Sequence, residues 1–191
     1  MAWIRPVSAG ENGFGRILDK TLPGEDGWSL VVHGLTGGRI KLSFYQRFSG
    51  VVPYVVWTAT STVSVNAWSH VAVTYDSDLA TNDPLIYLNG QLVGIVESVA
   101  PAGTRTSDNL NNLIIGNRRG PSGTFDGIID EVKIYNRALS SQEIKSEFDT
   151  GSQINPDEIA TVKIYNQLSK GTHTLRLCTS SMCNTGYLTI L

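Results

Sequence analysis

Two loops carry the aromatic and planar polar residues that best match a chemical task in this sequence. Four aromatic residues surround a Gly-Val-Val-Pro turn at 50–53, and a polar trio lies in a second loop rich in glycine and proline. The aromatic residues are Tyr45, Phe48, Tyr54 and Trp57, and the polar residues are Asn117, Arg118 and Arg119. Aromatic faces and planar polar groups are the components of a site that holds sugar rings. We therefore predict that these loops bind a glycan or a protein, with burial in the core as the alternative for each aromatic residue.

Motifs for catalysis are missing from the sequence. It has no Gly-x-Ser-x-Gly elbow, phosphate-binding loop, dinucleotide fingerprint or His-Glu-x-x-His pair. His33, His70 and His173 fall in separate β-like segments, with no carboxylate at a telling spacing. We interpret them as ordinary strand residues and predict that the protein is not an enzyme.

The two cysteines suit a disulfide bond. Cys178 and Cys183 are separated by four residues, a spacing that fits a bridge across a tight hairpin in an oxidising compartment. Two alternatives stay open: free thiols, or a zinc site with His173 that would have three of the four ligands it needs. Residues 1–10 lack the apolar segment of a secretory signal, so export would require the natural protein to begin earlier.

Composition excludes two classes of partner. The 191 residues include 15 Lys and Arg against 17 Asp and Glu, and no basic stripe is present that could neutralise a run of phosphates. No apolar segment approaches the roughly 20 residues of a membrane span. The hydrophobic fraction of 41% is typical of a soluble globular domain. We expect no nucleic acid partner and no membrane span.

Polar and apolar residues alternate with a period of two along most of the chain, which predicts strands. The predicted strands are 2–6, 16–20, 29–33, 39–45, 54–60, 68–76, 85–88, 91–97, 113–116 and 127–135. Asn89-Gly90 predicts a type I′ hairpin turn. Ser140 and Glu143 form a capping-box pattern that begins the one predicted helix, which Gly151 ends. The pattern favours an all-β fold with one short helix, a sandwich or jelly roll.

Four segments resemble the laminin-G-like branch of the concanavalin A-like lectin/glucanase superfamily. They are Trp-Ser-His-Val-Ala-Val-Thr-Tyr-Asp at 68–76, Ile-Tyr-Leu-Asn-Gly-Gln-Leu-Val-Gly at 86–94, Leu-Ile-Ile-Gly at 113–116, and the segment 125–140 that contains Phe-Asp-Gly-Ile-Ile-Asp-Glu-Val. The resemblance covers residues 2–149 and implies a two-sheet antiparallel jelly-roll sandwich. It also implies an extracellular or cell-surface module for glycan recognition or adhesion.

The chain departs from this family at both ends. It begins near the end of an early family strand, so the first strand or two are expected to be missing. After a linker at 150–158, residues 159–191 form a β appendage outside the family pattern. We hypothesise that the appendage fills or extends a sheet, within the chain or on a neighbouring subunit. The alternative function is therefore a structural subunit of a surface layer or filament that self-associates by strand exchange.

The sequence Val-Lys-Ile-Tyr-Asn occurs twice, at 132–136 and at 162–166. No longer period accompanies this pair. We interpret it as chance convergence of amphipathic strands in preference to duplication.

The resemblance also implies a structural calcium ion. Asp130 matches a family position that could hold the ion, and a second candidate is the loop with Asp76, Asp78, Asn82 and Asp83. Ca²⁺ prefers six to eight oxygen ligands. The alternative is a solvated turn with side-chain hydrogen bonds at the loop, and a purely structural role for Asp130.

Glucanase activity is the weakest implication of the resemblance. Asp126 and Asp130 share a face of a strand but lie about 13 Å apart, beyond the 5–9.5 Å range of glycosidase carboxylate pairs. Glu131 points to the opposite face from Asp130. We therefore rank a β-glucan hydrolase below the two non-catalytic functions.

Overall fold

The computed structural model describes residues 1–21, 27–49, 54–120 and 122–152, together with the backbone of three later strands at 163–165, 171–178 and 183–190. The strands, in chain order, are β1 Ala2–Pro6, β2 Phe14–Asp19, β3 Trp28–Thr36, β4 Arg39–Gln46, β5 Val55–Ser64, β6 Ser69–Thr74, β7 Leu85–Leu88, β8 Gln91–Val93, β9 Ile95–Glu97, β10 Ile114–Ile115, β11 Gly127–Asp130, β12 Lys133–Tyr135, β13 Lys163–Tyr165, β14 Gly171–Cys178 and β15 Cys183–Ile190. The helix α1 spans Ser141–Gly151.

Two larger sheets build the sandwich. Strands β11-β1-β6-β7-β8 form a five-stranded sheet, and β15-β14-β10-β2-β3-β4-β5-β9 form an eight-stranded sheet. The pairs within the sandwich are antiparallel, except where β14 runs parallel to β10. The predicted fold class, a mostly antiparallel jelly-roll sandwich with one short helix, is confirmed.

The core lies between the two sheets because alternate residues of each strand point inward. On β3, Leu30 and Val32 belong to the main hydrophobic cluster, and so do Leu42 and Phe44 on β4. From the other sheet Ile4 enters the same cluster, fully buried. The residues between these positions face outward, which leaves the outer face of β2, β3 and β4 free for polar groups.

A bulge in β2 changes which side chains face the core. Arg16 pairs with Val31 but Leu18 pairs with Leu30, so Ile17 is an extra residue in the strand. Both Ile17 and Leu18 are buried in the main cluster. Arg16 therefore lies on the outer face, although a regular strand would place it on the same side as Leu18.

The helix α1 packs on the outer face of the five-stranded sheet. Ser140 caps it as predicted: the Ser140 hydroxyl accepts a hydrogen bond from the Glu143 amide and the Glu143 carboxylate reaches back to the Ser140 amide. Ile144 is buried in a second small cluster with Ala72 and Tyr87. Within the described ranges, no helix has the length and apolar character needed to cross a lipid bilayer.

Two predicted strands are interrupted. The segment 91–97 is divided into β8 and β9 at Gly94, and 127–135 is divided into β11 and β12. The second break occurs at Glu131, whose φ of 47° lies in the left-handed region. Asp130 accepts a hydrogen bond from the Glu131 amide at 2.7 Å, which stabilises this turn.

The appendage strands pair with the same chain. β14 and β15 extend the eight-stranded sheet beyond β10. β13 pairs in parallel with β12, so that Lys133 lies opposite Lys163, Ile134 opposite Ile164 and Tyr135 opposite Tyr165. The two copies of the repeated sequence are thus neighbours in register. Most of the proposed linker at 150–158 lies outside the described residues.

Candidate functional site

An open groove crosses the outer face of β2, β3 and β4, with a cavity volume of about 480 Å³. Ser29 and Val31, the outward residues of β3, form part of its floor, and Tyr45 is the register partner of Ser29 on β4. We call this feature the outer groove. The residues that line it and carry its chemistry are Glu11, Phe14, Arg16, Tyr45, Arg47, Tyr54, Arg118, Arg119 and Ser122.

A buried ion pair lies at the base of the groove. The Arg16 Nε donates to the carboxylate of Asp19 at 2.9 Å. Asp19 is fully buried and also accepts hydrogen bonds from the amide and the hydroxyl of Thr21. Burial raises the pKa of the Asp19 carboxyl, and the hydrogen bonds from Thr21 and the charge of Arg16 oppose that change. The ion pair depends on the bulge, which places residues 16 and 19 on one face.

Aromatic rings are exposed at the surface of the groove. Tyr54 is 50% exposed and contacts Tyr45 edge-on, with 6.4 Å between ring centroids. The Arg47 guanidinium lies over the Tyr54 ring at 5.7 Å from its centroid. Phe14 is 43% exposed and stacks on His33 at 5.4 Å. Contacts on one side hold each ring in place and leave another side open to a ligand.

The loop after β10 presents two arginines. The Arg118 Nε donates to the Ser122 hydroxyl at 2.8 Å, and the Arg118 amide donates to the side-chain oxygen of Asn117 at 2.8 Å. Asn117 is 2% exposed and donates to the Thr124 hydroxyl. Arg118 and Arg119 are both exposed at the groove. The buried asparagine thus shapes the loop that the arginines occupy.

Glu11 anchors this loop to the chain before β2. Its carboxylate accepts hydrogen bonds from the Gly123 amide at 2.9 Å, the Thr124 amide at 3.2 Å and the Thr124 hydroxyl at 3.0 Å. Hydrogen bonds from Thr124 and Gly123, together with the nearby charge of Arg118, hold the pKa of Glu11 below its ordinary value. Glu11 therefore remains an anion that positions the loop.

The structure brings together four of the seven residues predicted to bind ligand: Tyr45, Tyr54, Arg118 and Arg119. Phe48 and Trp57 are instead 3% and 0% exposed in the main hydrophobic cluster. Their ligand-binding prediction does not fit this burial, because neither ring has a face available to a ligand. Trp57 points inward from β5 with Val55 and Ala59, and its indole N–H donates to Asp83. Asn117 is buried, so its side chain is not available to a ligand. It contributes to the groove by its hydrogen bond to Thr124, which shapes the loop of Arg118 and Arg119.

Comparison with known proteins agrees with this architecture. A laminin G family model described as the Concanavalin A-like lectin/glucanases superfamily matches residues 1–145. The chain belongs to this superfamily. The resemblance inferred from the four sequence segments is therefore confirmed. None of the curated proteins that were compared matches this concanavalin A-like chain.

Two solved structures resemble the concanavalin A-like chain. One is the native heptameric SAP-like pentraxin from Limulus polyphemus, with a TM-score of 0.53 and 14% identity over 75% of this chain and 65% of that chain. The other is an S-layer domain-containing protein (residues 221–444) from Clostridium thermocellum ATCC 27405, with a TM-score of 0.32 and 24% identity over 76% of this chain and 66% of that chain. The chain thus spans just under two thirds of each. The pentraxin likeness supports the shared fold.

The predicted calcium ligands in this concanavalin A-like domain do not form a site in the described residues. Asp76 accepts a hydrogen bond from the Asp78 amide, and Asp83 accepts one from the Trp57 indole. Asp130, 3% exposed, is the register partner of Trp3 on β1 and binds the Glu131 amide. Across the described ranges, no three His, Cys, Asp or Glu side chains form a cluster that could hold a metal ion. A structural calcium ion at Asp130 or in the loop at 76–83 therefore stays a prediction.

The remaining predicted residues lie away from the outer groove. Asp126 accepts a hydrogen bond from the Ser8 hydroxyl at 2.7 Å, at the start of β11. Cys178 and Cys183 are direct register partners at the turn end of β14 and β15. Their side chains lie outside the described part of the chain, so the disulfide stays a prediction. Opposed positions in an antiparallel pair have Cα separations in the range that a disulfide bridges.

Sequence reasoning did not find Glu11, Phe14 and Arg16 as groove residues of this concanavalin A-like domain. Arg16 reaches the groove only because of the bulge in β2. Glu11 acts across 112 residues of chain, a contact that no local pattern predicts. Phe14 is the first residue of β2 and is exposed there, and no pattern in the sequence distinguished it from the buried aromatic residues.

Proposed function

We propose that this chain is a non-catalytic recognition module that binds a glycan in the outer groove and acts outside the cell or at its surface. The observation that carries the proposal is the presence of two exposed aromatic rings, Tyr54 and Phe14, on one groove that also contains arginines. The superfamily membership is compatible with a lectin-like module. The assignment of a glycan as the ligand rests on the exposed rings and arginines of the groove.

The chemistry of the groove suits sugar rings. A pyranose has an apolar face of C–H groups that packs on an aromatic ring, and hydroxyl pairs that a planar guanidinium can hydrogen-bond. Tyr54 is held by Tyr45 and Arg47, and Phe14 is held by His33. Rings that are already fixed lose little conformational entropy when a ligand binds.

The carboxylates at the groove support a non-catalytic role. Glu11 receives three hydrogen bonds from the loop at 123–124, and Asp19 is fully buried in its ion pair with Arg16. A glycosidase requires one carboxyl group as a proton donor and a second as a nucleophile or base, both exposed to the scissile bond. Glu11 is occupied by its hydrogen bonds to the loop, and Asp19 is buried. Neither carboxylate is therefore arranged to act on a glycosidic bond in the groove.

A glycan array followed by calorimetric titration tests the proposal. We expect Tyr54→Ala and Phe14→Ala each to weaken binding of the best array ligand by about tenfold, equivalent to roughly 1.4 kcal/mol. Leu110→Ala is the matched control, because Leu110 is 93% exposed and lies outside the groove. Unchanged affinity in both aromatic variants would contradict binding at this groove.

A second candidate function is a structural subunit that assembles by strand exchange. The observation that favours it is the in-register pairing of β12 with β13, whose sequences are identical. A segment that pairs with its own copy of a sequence can equally pair with that sequence in another molecule, and exchanged strands are a common route to oligomers.

Deletion of residues 159–191 separates the two functions. Strand exchange predicts that the full chain forms oligomers in light-scattering measurements and that the shortened chain is monomeric. If the intact chain and a folded shortened chain are both monomers, strand exchange is wrong. The recognition function predicts glycan binding in both.

A further inference from the structure

Positive charge is concentrated in the outer groove of a chain whose formal net charge is -2. Four arginines line the described part of the groove: Arg16, Arg47, Arg118 and Arg119. The acidic residue among the described lining residues is Glu11, and Asp19 lies buried beneath. Among the described residues, these four cations outnumber the neighbouring anions, so the described part of the groove carries an excess of positive charge.

The four arginines differ in how far they are committed to the protein. Arg16 is paired with Asp19, and Arg47 lies over the Tyr54 ring. Arg118 uses its Nε on the Ser122 hydroxyl, which leaves its terminal nitrogens for other partners. The Arg119 guanidinium has no hydrogen bond or ion pair with the described residues. Arg118 and Arg119 therefore provide donors that the described part of the protein does not use.

Glu11 and Asn117 keep these donors at the groove. The carboxylate of Glu11 holds the loop at Gly123 and Thr124, and Asn117 is bonded to Thr124 within the loop. A guanidinium offers parallel N–H groups that match the two oxygens of a carboxylate or a sulfate. A neutral sugar would leave much of this capacity unused.

We propose that the outer groove selects glycans that carry carboxylate or sulfate groups, with Arg118 and Arg119 binding the anionic group while the exposed rings pack on the sugar. This inference rests on the proposed function and deepens it by naming the class of ligand. The selectivity determinants are the two loop arginines, and Tyr54 and Phe14 bind the sugar regardless of charge.

The test uses three oligosaccharides of one length with the full chain: a uronic acid oligosaccharide, the same oligosaccharide with its carboxyl groups reduced to alcohols, and a sulfated form of the reduced compound. Calorimetric titration at low salt is expected to show at least about tenfold tighter binding of one or both anionic forms than of the neutral form. The anionic form that gains affinity identifies the group selected. The advantage should shrink as salt rises, because added ions screen exposed charges.

Arg119→Gln and Arg118→Gln are expected to remove most of the anionic advantage, so that each variant weakens the anionic oligosaccharides much more than the neutral one. Arg39→Gln is the matched control, because Arg39 is an exposed arginine of β4 that bonds Thr62 and lies outside the groove. Circular dichroism and melting temperature verify that each variant is folded.

Equal affinity for the three oligosaccharides overturns the inference, and so does an equal loss in Arg39→Gln and Arg119→Gln. If the three bind equally and Tyr54→Ala weakens all of them, the anionic selectivity fails while glycan binding in the groove stands. If none of these oligosaccharides binds and the glycan array is also negative, the proposed function itself fails.

Discussion

Glu11 organises the site without needing to contact a ligand. Its carboxylate joins the chain before β2 to the loop after β10 through three hydrogen bonds, two of them to backbone amides. A carboxylate that accepts several N–H and O–H groups stays ionised at lower pH than a free one. The pKa of Glu11 is accordingly low, and its hold on the loop persists into moderately acidic conditions.

Removing this carboxylate should release the loop. In Glu11→Ala, we expect faster hydrogen exchange at the Gly123 and Thr124 amides, because both lose their acceptor. Exchange measured by NMR checks the prediction. Glu97→Ala, a change on β9 at the far end of the eight-stranded sheet, should leave these two amides unchanged. Equal exchange rates in wild type and Glu11→Ala would show that other contacts hold the loop.

His70 couples the stability of the fold to pH. Its ring is 2% exposed and lies near the rings of Trp3, at 5.5 Å, and Phe148, at 6.0 Å. Burial lowers the pKa of His70 from 6.5 to about 3. Between these values the unfolded chain binds a proton on this residue and the folded chain does not. The contribution of His70 to the free energy of unfolding is therefore complete above about pH 6.5 and declines as the pH falls toward 3.

Substitution of His70 should flatten this pH dependence. We expect the wild-type free energy of unfolding to include a loss of up to about 1.4 kcal/mol per pH unit below 6.5 from this one residue. His70→Phe keeps a ring of similar size and lacks the titration. Urea unfolding at pH 7.5, 6.5, 5.5 and 4.5 measures both slopes. Parallel slopes for the two proteins would show that His70 does not contribute.

At the scale of elements, the end of α1 is fitted closely to β1. A Cβ atom added at Gly151 would lie 2.4 Å from the indole nitrogen of Trp3. Trp3 in turn stacks on Phe148, with 5.6 Å between ring centroids. The final turn of the helix and the tryptophan therefore have no room for an additional methyl group.

Gly151→Ala should destabilise the protein, although the same change in an exposed helix normally stabilises it by about 0.5–1 kcal/mol. The overlap with Trp3 is expected to cost about 1–3 kcal/mol and so to decide the sign. Ser146→Ala, an exposed position of α1, is the control and should have little effect or stabilise slightly. Thermal unfolding compares the variants. A higher melting temperature for Gly151→Ala would mean that Trp3 moves aside without cost.

For the molecule as a whole, local sequence patterns predicted the strands and the helix well. They did not predict the contacts between distant parts of the chain. Alternation predicted β1 and β7 with the observed bounds, and the capping residues Ser140 and Glu143 predicted where the helix begins. Tyr54, Arg118 and Arg119 were identified because their chemical types suit sugar binding. Arg16 and Glu11 were not, since a bulge and a contact across 112 residues place them at the groove.

Trp57 shows why residue type alone misled the site prediction. An aromatic residue next to a turn suits a ligand, but on β5 the alternation places Trp57 on the inward side with Val55 and Ala59. The alternation itself was visible in the sequence. It did not show which of the two sets of alternate residues faces the core, because that depends on the pairing with β4, where Phe44 lies opposite Trp57.

The described residues of the groove lie between 11 and 123, so the molecule should bind its ligand without the appendage. We expect a chain ending at residue 152 to keep its glycan affinity within about twofold. Its melting temperature should fall, because β10 loses the pairing with β14. Calorimetry and near-ultraviolet circular dichroism measure both effects. Lost affinity in a folded shortened chain would place part of the site in residues 153–191.

Ile17 is an inserted residue whose side chain serves the core and not the groove. Deleting this one residue would restore regular pairing, with Arg16 still opposite Val31 on the outer face and Leu18 still opposite Leu30 in the core. The loss of a single codon there would therefore leave the groove side chains on their present face and would cost a fully buried side chain of the main cluster instead. Relatives that have lost the insertion should accordingly keep the arginine beside the buried aspartate and fill the space of Ile17 from a neighbouring position.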